Sequence, residues 1–455
     1  MPSRDWRPNA RPLSTSTADA PARQQGQRQP EQRDGSRPVS TQKFDQSQLD
    51  VAVVGGSIAG CATAIRFSQM GYRVAVFDKK AMNDQSHKRL CTHFIQPHSV
   101  PILAELGLSH LYEPDSSVLT KAVFVTPGGV VEGPGGYVPG PPDSYALNLE
   151  RRVLDPALRA GVRAQGVQYL DATTVERIEE DDSGWILDTS NGTGSQRFRA
   201  RLVVAADGRR SRLAKELGNA TESHPNERAA LFGYFSGIKT RPDNRSVFIM
   251  NERDLACVYP LVEGRTQLVL FADKARVEGW QGADGRLQEF LNYFDGLPDA
   301  PSMSDAVPET GLLGYSDYPS QIRQPVSGSI PFVGDAALSL DPMSGVGCGF
   351  ALVSADLLAR SFADRSLDKT DLGDGLAEYQ KRFEDVILPH AEGICGDSLV
   401  DKNEASRRRM FQAISGNQEL SQKYLALTGR MLMPGEFQRD LMRALMSRGA
   451  AGLKR

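Results

Sequence analysis

The sequence predicts an α/β fold in which a βαβ unit interlocks with a second, mainly β sheet, followed by a helical C-terminal segment. Three observations predict it. The apolar run Val51 to Val54 breaks into a glycine-rich turn, then a helix-like stretch, then a second apolar run. Two groups of alternating β-like segments follow. From about Tyr379 the pattern is mostly helical. A chain of 455 residues can bury a large core and predicts two interlocked domains.

In the βαβ unit, Val51-Ala-Val-Val54 is the strand and Gly55-Gly56-Ser57-Ile58-Ala59-Gly60 the turn. Cys61 to Met70 is the helix, and Tyr72 to Phe77 is a second strand ending at Asp78. This is the spacing of a turn built to hold an adenine dinucleotide. Gly55 permits the tight bend, Ser57 stands where the backbone approaches the pyrophosphate, and Gly60 lets helix pack on strand. The helix N-terminus offers unpaired N–H groups and its positive dipole end to phosphates. Asp78 falls close to where a carboxylate accepts from ribose hydroxyls. Ser57 replaces the usual second glycine, and its hydroxyl could add a phosphate contact.

Composition excludes other classes. The net charge of −3 gives no electrostatic case for nucleic acid. No apolar run reaches the roughly 20 residues that span a bilayer. The five cysteines (Cys61, Cys91, Cys257, Cys348, Cys395) are scattered without CxxC pairing and read as reduced thiols of a cytoplasmic protein. Residues 1–46 are rich in Arg, Gln, Ser, Pro and Asp, lack a secretory apolar core, and are expected to be a disordered tail.

Further along, Pro101 to Leu108 predicts a short helix, Pro127 to Pro142 a Gly/Pro-dense loop, and Arg151 to Gln165 an amphipathic helix. Strands are expected near Thr173–Ile178, Trp185–Thr189 and Gln196–Ala205, with Asn191-Gly192 as the hairpin between the last two. A second group covers Ala230–Ile238, Ser246–Met250, Leu255–Val262 and Gln267–Ala272, and a helix lies near Gly285–Phe294.

Two more motifs accompany the first. The buried run Val203-Val-Ala-Ala206 ends in Asp207-Gly208, with a helix opening at about Ser211. Beside the first strand, Asp207 would face the pyrophosphate region. The third runs from Ser329 through Gly334-Asp335 to Pro342, then Gly345-Val346-Gly347, before a long helix, Phe350 to Phe362. Its N-terminus could point at the N1 and O2 edge of an isoalloxazine and stabilise the anionic reduced ring.

The three motifs in this order resemble the FAD-dependent monooxygenases of the p-hydroxybenzoate hydroxylase type, over about residues 49 to 365. The resemblance implies a Rossmann-like FAD-binding domain, with a three-stranded β-meander, interlocked with a substrate-binding β-sheet domain. It assigns Gly55, Gly56, Ser57, Ile58, Ala59, Gly60, Asp78 and Lys79 to the ADP part. Asp207 and Gly208 fall near the pyrophosphate, and Gly334 and Asp335 at the ribityl chain. Pro342, Gly345, Val346 and Gly347 would flank the ring. Arg151 matches an arginine that contacts the cofactor, and a charge on a surface helix is its alternative. Arg89 and Gln96 fall where family members touch FAD. Residues 47–120, 145–225 and 323–365 would form the FAD domain, 121–144 and 226–322 the substrate domain, and 366–455 a helical region.

In this resemblance NAD(P)H reduces FAD, O2 adds at the flavin C4a, and one oxygen passes to a hydrophobic substrate. No second dinucleotide fold is visible, so NAD(P)H would dock transiently or an external reductase would act. The superfamily also holds halogenases and prenyl-chain reductases. The Trp-x-Trp-x-Ile-Pro motif of halogenases is absent, its matching stretch being Leu255-Ala-Cys-Val-Tyr259-Pro260. Weak catalytic candidates are His93, Tyr234 and Tyr259, with His98 as a further acid–base group. Phe232, Tyr234, Tyr259 and Phe271 are candidates for the pocket wall or for core packing. Cys91, Cys348 and His93 are types able to carry flavin covalently. The Met-rich segments Met431–Met433 and Leu441–Met446 could cap a pocket, pack, or form a homodimer contact.

Overall fold

The computed structural model describes residues 48–83, 86–133, 136–137, 144–280, 282–398 and 403–452, with 447–452 by backbone alone. The expected N-terminal tail, 1–46, lies outside the described residues. The first strand, Gln48–Val54, is flanked in parallel by Val74–Phe77 on one side and Gly194–Ala205 on the other. Gln168–Leu170 extends the parallel half, and Gly184–Asn191 with Thr174–Asp181 adds an antiparallel meander, closing a six-stranded sheet. The register pairs Val54 with Ala205, which sets the first turn beside the second motif. A Cβ on Gly55 would stand 2.2 Å from the Ala206 carbonyl oxygen, and Gly55 has φ +114°, so this position requires glycine.

Strands buried on both faces need helices above and below. Ile58–Gln69 packs against Arg151–Ala164 and Gly347–Arg360. Val51, Val53, Ile65, Phe67, Val203 and Leu352 are fully buried in this core. The long third-motif helix thus begins at Gly347, three residues earlier than Phe350.

The second sheet runs Val307–Pro308, Arg228–Ser236, Thr266–Asp273, Asp254–Pro260, Ser246–Asn251, Ala122–Thr126, Gly129–Val131, with Leu313–Tyr315 also on Arg228–Ser236. Gly129–Val131 is a strand inside the stretch expected to be loop, because Ala122–Thr126 pairs with it. Both faces of this sheet are buried. Phe235 packs on Phe290 and Phe294 of Ala283–Asp295. On the other face, Phe232, Phe248, Tyr259 and Phe271 meet Phe94 and the C-terminal Phe411, Ile414, Leu425 and Phe437. The alternation that separates Phe232 from Phe235 is therefore realised.

The C-terminal helices are Lys369–Val386, Leu388–Asp397, Glu404–Ser415, Gln418–Thr428 and Pro434–Gly452. Three of them start with side-chain caps: Asp368 accepts from the Thr370 and Asp371 N–H groups, Asn403 from Ser406, and Asn417 from Leu420. Among the described residues, no helix is long and apolar enough to cross a membrane. The buried Tyr379 hydroxyl donates to the Phe332 carbonyl at 2.6 Å, tying the tail to the segment that carries Gly334. Tyr379→Phe leaves that carbonyl without this donor and is expected to cost about 1–2 kcal/mol of unfolding free energy, read by urea titration.

Candidate functional site

One cavity of about 790 Å³ collects all three sequence motifs. Gly55, Gly56, Ser57, Ile58, Ala59, Asp78 and Lys79 line it from the first strand and its helix. Asp207 and Gly208 come from the end of the adjacent strand, and Asp335, Pro342, Gly345 and Gly347 from the third motif. Parallel pairing of the first strand with Gly194–Ala205 explains the first two, since both chains leave the sheet at the same edge. Gly60 and Gly334 stand just behind the wall as packing glycines. A Cβ on Gly334, at φ +57°, would lie 2.7 Å from the Ala59 Cβ.

Two helices open onto this cavity. Ser57 precedes Ile58–Gln69 and Val346 precedes Gly347–Arg360, and neither side chain caps its helix. The first-turn N–H groups and positive dipole ends are therefore left for a ligand. Gly345 is left-handed, φ 64°, and turns the Pro342–Ser344 segment into the second helix. The Gln96 Nε2 and Arg430 Nη2 both donate to the Ser344 carbonyl, each at 3.3 Å, steadying this turn from behind. Gln96 thus supports the turn that leads into the second helix and does not line the cavity.

The carboxylates differ in their freedom. Asp207 Oδ2 accepts from the N–H groups of Arg212 (2.7 Å) and Leu213 (3.2 Å), while its buried Oδ1 has no partner. Asp78 Oδ1 accepts from the Lys80 N–H and Oδ2 from the Tyr169 hydroxyl at 3.2 Å. Tyr169 also reaches the Gly56 carbonyl at 3.1 Å. It lies on the outermost strand of the parallel half, and nothing in its local sequence marks it. Asp335 is half-buried in the wall and holds the neighbouring Lys88 ammonium in its charged form.

Arg151 is 3% exposed and binds three parts of the site. Its Nε donates to Asp155 Oδ1 at 2.5 Å and its Nη2 to Ser57 Oγ at 3.2 Å. Burial opposes its charge, but the Asp155 carboxylate together with the Cys348 and Cys91 sulfurs raises its pKa. Asp155 Oδ2 also accepts the Lys88 N–H at 3.0 Å, and Arg159 Nη2 donates to the Ser86 carbonyl at 2.7 Å. Arg151, Asp155 and Arg159 are one turn apart on a single helix face, which is therefore a buried polar stripe that grips the 86–93 loop.

His93, at φ 57°, holds the same loop from its other end. Its Nδ1 accepts the Arg151 N–H at 3.1 Å, so its Nε2 carries the proton and donates to the Tyr234 hydroxyl at 2.7 Å. Tyr234 donates in turn to the Arg89 carbonyl at 3.2 Å. His93 and Tyr234 form this brace and do not line the cavity. Arg89 offers its carbonyl to the brace while its side chain is exposed, and Lys88, its neighbour, faces the cavity instead. Tyr259 is 2% exposed and packs against Phe94 and Phe248. Of the four wall candidates only Phe232 lines the cavity, joined by Tyr315, Tyr318 and Leu90.

His98 also falls outside the cavity. It packs edge-on to Phe350, which His390 approaches from another side. Burial, reinforced by the Arg430 guanidinium, pulls both imidazoles down to about 3. His98 is thus neutral at physiological pH and too weak a base for the acid–base role considered for it.

The FAD binding domain family matches residues 48–386. The chain belongs to this family. It is similar to digeranylgeranylglycerophospholipid reductase 2 of Methanopyrus kandleri, 26% identical over 349 residues, 74% of this chain and 83% of that protein. In fold it is similar to p-nitrophenol 4-monooxygenase PnpA from Pseudomonas putida DLL-E4, with a TM-score of 0.69 and 20% identity over 85% of this chain and 99% of that one. The myxobacterial chondrochloren halogenase CndH shares the fold with a TM-score of 0.62 at 20% identity, over 85% and 98% of the two chains. The protein is an FAD-dependent oxidoreductase. Its cavity suits that cofactor: two uncapped helix N-termini for anionic groups, an unpartnered Asp207 oxygen, and two lining glycines, Gly208 and Gly347, where an added Cβ would meet open space.

Two predictions follow from the site's charges. Arg151→Met leaves Asp155 buried beside no guanidinium and is expected to cost about 3–5 kcal/mol, with partial recovery in Arg151→Met/Asp155→Asn, both read by thermal and urea unfolding. For His98 and His390 the unfolded imidazole titrates near ~6.5, so at lower pH the unfolded chain binds protons that the folded one refuses. Their stabilisation is complete above that value and is lost as pH falls toward 3, on the order of 1 kcal/mol per histidine per pH unit. Urea unfolding at neutral and mildly acidic pH checks this, with a smaller loss expected for His98→Leu.

Proposed function

We propose that the protein is a monooxygenase that inserts one O2-derived oxygen, by hydroxylation or epoxidation, into a hydrophobic small molecule of aromatic or polyketide-like character. NAD(P)H is the reductant in this reading. The observation that carries it is the composition of this cavity: polar helix ends and carboxylates along one side, and Phe232, Tyr315 and Leu90 on the side of the second sheet. Bound FAD supplies the electron transfer and oxygen activation. The chain's own residues bind, orient and keep water out.

In this assignment the first-motif turn and the start of its helix, Gly55 to Gly60, hold the ADP portion with Asp78 and Lys79. Asp207 and Gly208 meet the pyrophosphate, and Asp335 the ribityl chain, with Gly334 packed behind it on Ala59. Pro342, Gly345, Val346 and Gly347 present the second helix N-terminus to the ring, where its dipole favours the anionic reduced form. Arg151 acts through Ser57 and the loop it fixes. Phe232 and Tyr315 (ring centroids 6.1 Å apart) form an aromatic wall for an apolar substrate.

A second reading, reduction of an unsaturated or prenyl chain, is favoured by the archaeal reductase relative, which aligns over most of both chains. Purified protein, NAD(P)H and a panel of aromatic, polyketide-like and prenyl compounds separate the two. The monooxygenase reading expects substrate-stimulated NAD(P)H and O2 consumption, with an oxygenated product. Saturated product formed only without O2 would replace it with the reductase. Within the monooxygenase reading, Phe232→Ala is expected to raise KM several-fold and to divert O2 consumption away from product, measured as the ratio of product to NAD(P)H used.

A further inference from the structure

Two thiols lie side by side in the cavity wall. The Sγ atoms of Cys91 and Cys348 are 3.6 Å apart, although the residues are 257 positions apart in sequence. Both line the cavity that also contains Gly345, Gly347 and Asp335. Cys348 is the second residue of Gly347–Arg360, at the positive end of that helix. Cys91 sits on the braced loop: its carbonyl accepts from Gln267 Nε2 at 2.7 Å and its sulfur from the His93 N–H at 3.3 Å. Each sulfur is therefore presented by a fixed element.

The two thiols share one hydrogen bond, which holds the Cys91 thiol well below the usual thiol range against the effect of burial, with the Arg151 guanidinium adding positive potential, and pushes the Cys348 thiol up. Cys61, Cys257 and Cys395 are buried apart from this pair, and burial pushes their thiols up.

We propose that Cys91 and Cys348 form a dithiol–disulfide pair that exchanges two electrons with FAD held in the same cavity. In the oxidising direction two S–H bonds break and one S–S bond forms. Oxidised FAD takes both electrons and one proton, and the second proton leaves to water. The reverse step returns the dithiol and oxidised FAD. A bonded pair needs a separation near ~2.05 Å, which the thiols reach by turning toward each other from contact distance. The pair gives the protein a second two-electron store beside its cofactor. This rests on FAD binding alone, and not on oxygenation or reduction as the final reaction.

The experiment uses the full-length holoenzyme. After treatment with diamide and its removal, non-reducing peptide mapping is expected to recover a Cys91–Cys348 linked peptide, and anaerobic dithionite titration to consume two electron equivalents per FAD beyond those of the flavin. Cys91→Ser and Cys348→Ser are each expected to return the titration to the flavin's own equivalents. No linked peptide in wild-type protein overturns the proposal without need of a variant. A linked peptide with no extra electrons overturns the exchange with FAD. Purified protein without flavin absorbance would overturn the cofactor reading instead, and the spectrum registers that separately.

Discussion

The Arg151–Asp155 ion pair is the interaction on which the site depends. Both groups are buried, at 3% and 9% exposure, so each would be costly without the other. Such a pair adds little net stability compared with apolar residues of the same size, and its value here is positional. Arg151 reaches Ser57 in the first motif, and its own N–H fixes the His93 ring. Asp155 takes the Lys88 N–H. Two segments distant in sequence, the first-motif turn and the loop that carries Lys88 and His93, are thereby locked to one end of one helix, and a charge-assisted geometry of this kind tolerates little displacement.

The lock matters because the cavity is assembled, not inherited from a single element. The sheet delivers the first two motifs to one edge through the parallel pairing of Val54 with Ala205. The third arrives through the packing of Ile58–Gln69 on Gly347–Arg360, which allows the close approach of Gly334 to Ala59. Two dipoles of the same sign then converge on one space. An empty space of that kind is electrostatically unfavourable, and an anionic, elongated ligand relieves it.

The motifs and the sheets were legible because both are local signals. Glycine turns, the Asp-Gly and Gly-Asp ends and the period-two strands each declare themselves within about ten residues. Asp155 and Arg159 were not legible as buried groups. Charges at helical spacing read as a solvated face until the 86–93 loop is seen lying over them. Lys88 and Arg89 show the same limit, since nothing local tells that Arg89 gives its carbonyl to Tyr234, 145 positions away, while Lys88 lines the cavity. Tyr169 belongs here too, because its reach to Gly56 and Asp78 exists only through the pairing of Val74–Phe77 with Gln168–Leu170.

Tyr259 and Phe271 carry this furthest. Alternation places them on the same sheet face as Phe232, and the structure agrees. That face is not uniformly open, however. The C-terminal helices bring Phe411, Ile414, Leu425 and Phe437 onto it, and Phe94 and Phe248 fill the gap at Tyr259. Only the part near Phe232 and Tyr315 is left to the cavity. Strand periodicity fixes which side a residue faces, and the elements packed later decide whether that side is core or site. The C-terminal region therefore shapes the substrate end by determining how much of an apolar sheet remains uncovered, a role that its Met-rich composition alone could not distinguish from plain packing.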